Sequence, residues 1–95
     1  MTESTNPRDT VRIMVHIRYF ASIREALGLE QEDVSTAAPT LDALRAELIA
    51  RGGAYALALA PSRAVRMALN QTLSQGDAAL SPGAEVAFFP PVTGG

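Results

Sequence analysis

From Val11 to Phe20 the apolar residues Val11, Ile13, Val15, Ile17 and Tyr19 take alternate positions. Residues two apart point to the same side of a pleated strand, so this stretch predicts a strand with one buried face. The other face carries Arg12, Met14, His16, Arg18 and Phe20, where His16 reads as a solvated strand residue. Ser22 stands where it would cap a short helix through Leu27, and Gly28 supplies the left-handed position that ends such helices. Glu30 to Ala37 set Val34 among polar and β-branched residues, the pattern of a sheet-edge strand pairing hairpin-fashion with the first. Glu30 and Glu32 lie in this polar segment and read as exposed, not as an acid and base pair.

Thr40 then opens the main helix. Leu41, Leu44 and Leu48 recur at spacings of three and four, Asp42 falls in the first turn and Arg51 near the last, and Gly52 with Gly53 stop it. "AYALALAP" reads as a loop with a short helical turn, closed by Pro61. Val65, Met67 and Leu69 alternate with Arg66, Ala68 and Asn70 as a third strand, and "LSPGAEV" provides a turn into the last strand, Glu85 to Phe89. Strand, strand, helix, strand, strand, with one amphipathic helix to cover one face of one mixed sheet, predicts a two-layer α+β domain whose first and last strands are central.

The pattern stops at both ends. Residues 1–10 have no hydrophobe after Met1 and are rich in Ser, Thr, Asn and Asp, which predicts a disordered leader. The domain occupies residues 11–89. Residues 90–95, "PPVTGG", begin with two prolines that favour an extended backbone and finish on two glycines.

Composition mainly removes possibilities. A chain of 95 residues holds one core. With a net charge of -2 and eight scattered cations, all arginine, there is no electrostatic footprint for nucleic acid. The lack of cysteine removes thiolate nucleophiles and the usual zinc ligands, a lone His16 builds no metal site, and a cytoplasmic location suits this composition. No run is long and apolar enough for a membrane span, and the N-terminus has no signal-peptide pattern. No Walker or Rossmann glycine pattern and no histidine relay is present, so the side chains offer no catalytic constellation. What remains is the terminal carboxylate on Gly95, beyond its proline brace. Joined to a nucleotide phosphate it becomes a mixed anhydride that a sulfur or nitrogen nucleophile opens, and activation then falls to a partner with ATP.

The segments "MVHIRYFASIREALG", "PTLDALR", "ALNQTL" and "EVAFFPPVTGG", in this order, carry a resemblance. From Met14 to Gly95 the chain resembles the small, sulfur-carrying subunits of molybdopterin synthases, in the ubiquitin-like β-grasp superfamily. The terminal "FFPPVTGG" is the specific part of that likeness, since a bare pair of glycines suggests only the wider superfamily. The resemblance implies a β-grasp fold with an extended reactive tail. It implies that Gly95, preceded by Gly94, is adenylated by an ATP-dependent activating enzyme and converted to a thiocarboxylate with sulfur from a persulfide. The tail then enters the large synthase subunit, in a heterotetramer of two small and two large chains, and gives its sulfur to cyclic pyranopterin monophosphate. No cofactor is expected to be held permanently.

The same resemblance implies that Phe20, Arg24, Phe89, Pro90, Pro91, Val92 and Thr93 meet the partners. If Val86 and Phe88 face the core, Phe89 faces outward beside Phe20 and the two rings form an apolar patch. Carriers for thiazole synthesis or tRNA thiolation also end in two glycines, and a ubiquitin-like modifier would pass Gly95 to a lysine of another protein. This chain has no lysine of its own, so no side-chain amine here can accept its activated tail.

Overall fold

The computed structural model describes residues 12–91. The sequence-predicted leader, Val11, and the tail residues Val92, Thr93, Gly94 and Gly95 lie outside the described residues. Five strands, β1 (Ile13–Tyr19), β2 (Gln31–Thr36), β3 (Arg66–Leu69), β4 (Thr72–Ser74) and β5 (Glu85–Phe89), form one mixed sheet in the order β2-β1-β5-β3-β4. Three helices, α1 (Ala21–Leu27), α2 (Leu41–Ile49) and α3 (Gly53–Ala58), complete the α+β fold. β1 pairs parallel with β5 and antiparallel with β2, while β3 is antiparallel to both β5 and β4.

The core forms on one face of this sheet. Val15, Ile17 and Tyr19 of β1 and Val86 and Phe88 of β5 are buried, and Ile23, Leu41, Leu44, Leu48, Ala58 and Leu59 join them from the helix layer. The period of two read in β1 is therefore the burial pattern of the strand. Tyr19 and Phe88 are register neighbours whose rings stack with centroids 6.1 Å apart. Large side chains at this central pair remove much apolar surface from water, at about 25 cal/mol per Å².

Helix boundaries follow local chemistry. The Thr40 hydroxyl accepts the Ala43 N–H at 3.2 Å and starts α2 as expected, and Gly28 ends α1 at φ 68°. Ser22 is not a cap. Phe20 is the N-cap residue of α1, with no side-chain bond, because its N–H still donates to the Phe88 carbonyl at 3.1 Å and keeps it in the sheet. Ala21 turns out of the sheet at φ 51°, a left-handed value that a β-carbon resists.

Two elements depart from the expected order. The stretch after Gly52 and Gly53 is a third helix, not a loop with a helical turn, and its end is held from outside. Arg45 donates from Nε to the Leu59 carbonyl at 2.8 Å and from Nη2 to the Ala60 carbonyl at 2.7 Å. β4 is additional, folded back by a two-residue turn in which Asn70 and Gln71 have φ of 50° and 70°. Asn70 also bonds β5, donating its N–H to the Glu85 carbonyl at 2.8 Å and accepting the Glu85 N–H on Oδ1 at 2.9 Å.

Glu32 is half-buried, contrary to the exposed setting expected for it, and ties the edge strand to the helices. Its Oε2 accepts the hydroxyls of Tyr19 and Tyr55, both at 2.7 Å, and Arg51 Nη1 donates to Oε1 at 3.1 Å. The Arg51 guanidinium also lies 4.8 Å from the centroid of the Tyr55 ring. Burial by itself pushes the Glu32 carboxyl up, but the bonds from Tyr19, Tyr55 and Arg51 outweigh it and hold the group below the usual carboxylate value.

A carboxyl with a depressed folded pKa stabilises the fold above its unfolded value, about 4.3, and that contribution is lost as pH falls through the folded value. Glu32→Gln is expected to lower stability by about 1–2 kcal/mol near neutral pH, with the gap from the parent closing on acidification. Urea unfolding at several pH values measures this, and a gap that stays constant with pH would contradict the role given to the charge.

Candidate functional site

The sheet face opposite the helices holds Phe20 and Phe89 of the sequence-predicted contact residues. Side chains at alternate strand positions meet across the register in rows. The row nearest the tail runs from Phe20 to Phe89 to Arg66: Phe89 pairs with Arg66, and Phe20 follows the Tyr19–Phe88 pair. The next row runs through Gln31, Arg18, Ala87, Ala68 and Leu73. Beyond it lie Asp33, His16 and Glu85.

Phe20, Phe89 and Ala87 are only partly buried, and Leu73 is 60% exposed. Val86 and Phe88, by contrast, are fully buried, so β5 sends alternate residues to the core and to this face, as expected from its sequence. By register Phe20, which directly follows β1, falls beside Phe89 of β5, in the row next to Ala87, Ala68 and Leu73. Leu73 went unrecognised in the sequence because β4 did. Had the Asn70–Gln71 turn been read as a hairpin, the alternation of Leu73 with Thr72 and Ser74 would have shown it.

Pro90 and Pro91 continue directly from β5 and are partly buried. Pro90 borders a shallow cleft of about 260 Å³ together with Ser22, Ile23, Ala58, Arg63 and Val65, so the tail root has contacts on the helix side as well. Arg24 is exposed in the last turn of α1, the helix that begins after Phe20, and so belongs to the helix layer instead of the sheet face. Gly95, Gly94, Thr93 and Val92 lie outside the described residues.

The far end of the face is polar and internally paired. His16 Nδ1 lies 2.6 Å from Asp33 Oδ1 and Nε2 lies 2.9 Å from Gln31 Oε1, so the doubly protonated ring donates to both. Asp33 first and Gln31 second push its pKa above the ordinary value of 6.5. His16, expected as a solvated strand residue, is engaged by Asp33 and Gln31 within its own sheet. Among the described residues no group of three or more His, Cys, Asp or Glu is arranged to hold a metal ion, and no helix is long and apolar enough to cross a membrane.

A group with a raised folded pKa stabilises the fold below its unfolded value, and that contribution is lost as pH rises through the folded one. An NMR titration of His16 is accordingly expected to give a midpoint above 6.5 that moves down in Asp33→Asn. A midpoint unaffected by the substitution would show that the ring does not bond Asp33 in solution.

Comparison with known proteins extends these observations to the tail. The chain is 44% identical over 82 residues to the molybdopterin synthase sulfur carrier subunit of Escherichia coli, a match covering 86% of this chain and all of that protein. The same-named subunit of Haemophilus influenzae is 39% identical over the same share of each. Among solved structures, the complex of subunits 1 and 2 of molybdopterin-converting factor from Helicobacter pylori contains a chain that is 28% identical. It superposes with a TM-score of 0.60, covering 87% of this chain and 100% of that one. The sequence model of the ThiS family matches residues 17–95, from the middle of β1 through the paired phenylalanines to the final glycines, and the chain belongs to that family.

Proposed function

We propose that this chain is the sulfur carrier subunit of a molybdopterin synthase. The observation that carries the reading is 44% identity across the whole length of a protein of that name, joined to a reactive ending, "FFPPVTGG", that leads straight out of the central strand of the sheet. The proposed cycle begins with adenylation of the Gly95 carboxylate by an ATP-dependent partner. A carboxylate does not acylate, because oxide is too poor a leaving group, whereas AMP leaves readily from the mixed anhydride. Attack by a persulfide sulfur on the acyl carbon expels AMP and leaves an acyl disulfide; a second thiol of the sulfur donor then attacks the donor's own sulfur, forming a disulfide there and releasing Gly95 as the thiocarboxylate. Its sulfur is then delivered to cyclic pyranopterin monophosphate within the large subunit. The carrier is the sulfur-donating part of a sulfurtransferase and has no catalytic side chain to supply.

The division of labour between globule and tail follows from this chemistry. Six residues, the number from Pro90 to Gly95, span ~18 Å when a backbone is extended at about 3 Å per residue. The prolines limit the conformational entropy lost on docking, and the two glycines let the main chain pass a channel with no room for a β-carbon. The face bearing Phe20 and Phe89 is the docking surface in this reading, for the activating enzyme and for the large subunit in turn. The H. pylori complex of subunits 1 and 2 supports a large-subunit partner; two carriers on a dimer of large subunits is the proposed assembly.

Two variants test this division. One alanine appended after Gly95 is expected to leave the melting temperature unchanged and to abolish the mass gain of an oxygen-to-sulfur exchange in chain isolated from cells. Retention of that gain would contradict a reacting terminus, and a branched peptide joining Gly95 to another protein's lysine would point to a modifier instead. Phe89→Ala is expected to weaken binding to the large subunit by about 10- to 100-fold, the loss typical of a central aromatic anchor. Unchanged affinity, measured by calorimetry, would remove this face from the docking surface.

A further inference from the structure

We propose that the partner surface received by this sheet face carries carboxylate side chains at its border, opposite Arg66 and Arg18, around an apolar centre that takes Phe89 and Phe20. The inference rests on the reading of this face as the docking surface for the large subunit, and it specifies the chemistry that the partner must bring.

Arg66 is the register partner of Phe89, so a protein that covers one ring covers the neighbouring guanidinium as well. Arg66 is exposed, and among the described residues no carboxylate oxygen lies within 4.0 Å of it and no hydrogen bond leaves its side chain. Arg18 holds its guanidinium 5.3 Å from the centroid of the Phe20 ring, with one long contact of 3.8 Å to Glu85. Arg66 and Arg18 thus flank the aromatic pair, whereas Arg12 and His16 lie farther along the face. Its acids, Asp33 and Glu85, lie in the row of His16, farther from the tail.

Covering Arg66 with an apolar surface strips its water and gives nothing back, which disfavours binding of an unpaired charge. A carboxylate on the partner removes that penalty, and a planar guanidinium suits it because it can donate two parallel hydrogen bonds. The whole chain carries a net charge of -2, so this basic end of the face is opposite in sign to the rest of the molecule. An acidic border on the partner draws this end forward during encounter and repels the remainder, which orients the carrier before contact.

The test measures association and dissociation rates between this chain and the purified large synthase subunit of the same organism, at ~50 mM and ~500 mM salt, where the Debye length falls from above 10 Å to a few Å. Arg66→Glu is expected to slow association about tenfold at low salt and to match the parent at high salt, as loss of electrostatic steering requires. Phe89→Ala is expected to speed dissociation at both salt concentrations. Association of Arg66→Glu as fast as the parent at low salt overturns the proposal, and if Phe89→Ala still weakens the complex, the docking reading survives that failure. If neither variant changes either rate, the face is not the docking surface and both readings fall together. Equal melting temperatures for the parent and Arg66→Glu tie a rate change to the charge and not to the fold.

Discussion

The parallel pairing of β1 with β5, from His16 with Glu85 to Tyr19 with Phe88, joins the first strand of the domain to the last at the middle of the sheet. Neither strand is built around a local turn, so their union closes nearly the whole chain and depends on burial for its return. Tyr19 and Phe88 stack at the tail end of that pair, and Ile17 and Val86 lie beneath the helices beside them. Because β5 is central, with β1 on one side and β3 on the other, the backbone that leaves Phe89 leaves from a strand hydrogen-bonded on both sides. A reactive terminus on an edge strand would fray with its strand; here its base is held by neighbours on both sides.

The same pairing decides what the open face of the sheet presents. Side chains alternate across a strand, so residues that secure Val86 and Phe88 in the core necessarily turn Ala87 and Phe89 outward, and β1 does likewise with Arg18 and Phe20. Core and proposed docking face are thus two readings of one register. A slip of one residue would bury the arginine and expose the tyrosine. The Glu32 cluster and the Asn70 turn secure the flanks of this arrangement, the first by tying β2 to Arg51 and Tyr55, the second by binding the β3–β4 turn to Glu85.

Much of this was legible where a single local rule decided the outcome. The alternation in β1 and β5, the Thr40 cap followed by Leu41, Leu44 and Leu48, and the left-handed Gly28 each express short-range physics, and each appears in the structure. The parts that were not legible depend on distant partners. Helix α3 is a run of small and apolar residues with no clear period, stabilised by Arg45 and by the Tyr55 bond to Glu32, 23 residues away in sequence. β4 spans three residues and turns on Asn70 and Gln71, where positive φ had no glycine to announce it. Phe20 displaced Ser22 as the N-cap residue of α1 because a sheet hydrogen bond held it. At the candidate site, the aromatic pair was readable from strand period, while Leu73 and the unpaired setting of Arg66 required the register of β4 and β5. Family likeness, not any periodicity, supplied the chemistry of the tail.

The central claim is that sulfur travels on the main-chain carboxylate of Gly95 while the globule presents it. Reconstitution with the large synthase subunit and cyclic pyranopterin monophosphate measures this most directly, by comparing dithiolene formed from the thiocarboxylated chain and from the chain with its ordinary carboxylate. Formation with the first alone, in proportion to the sulfur it carries, is the expected result. Equal formation from both would contradict the claim.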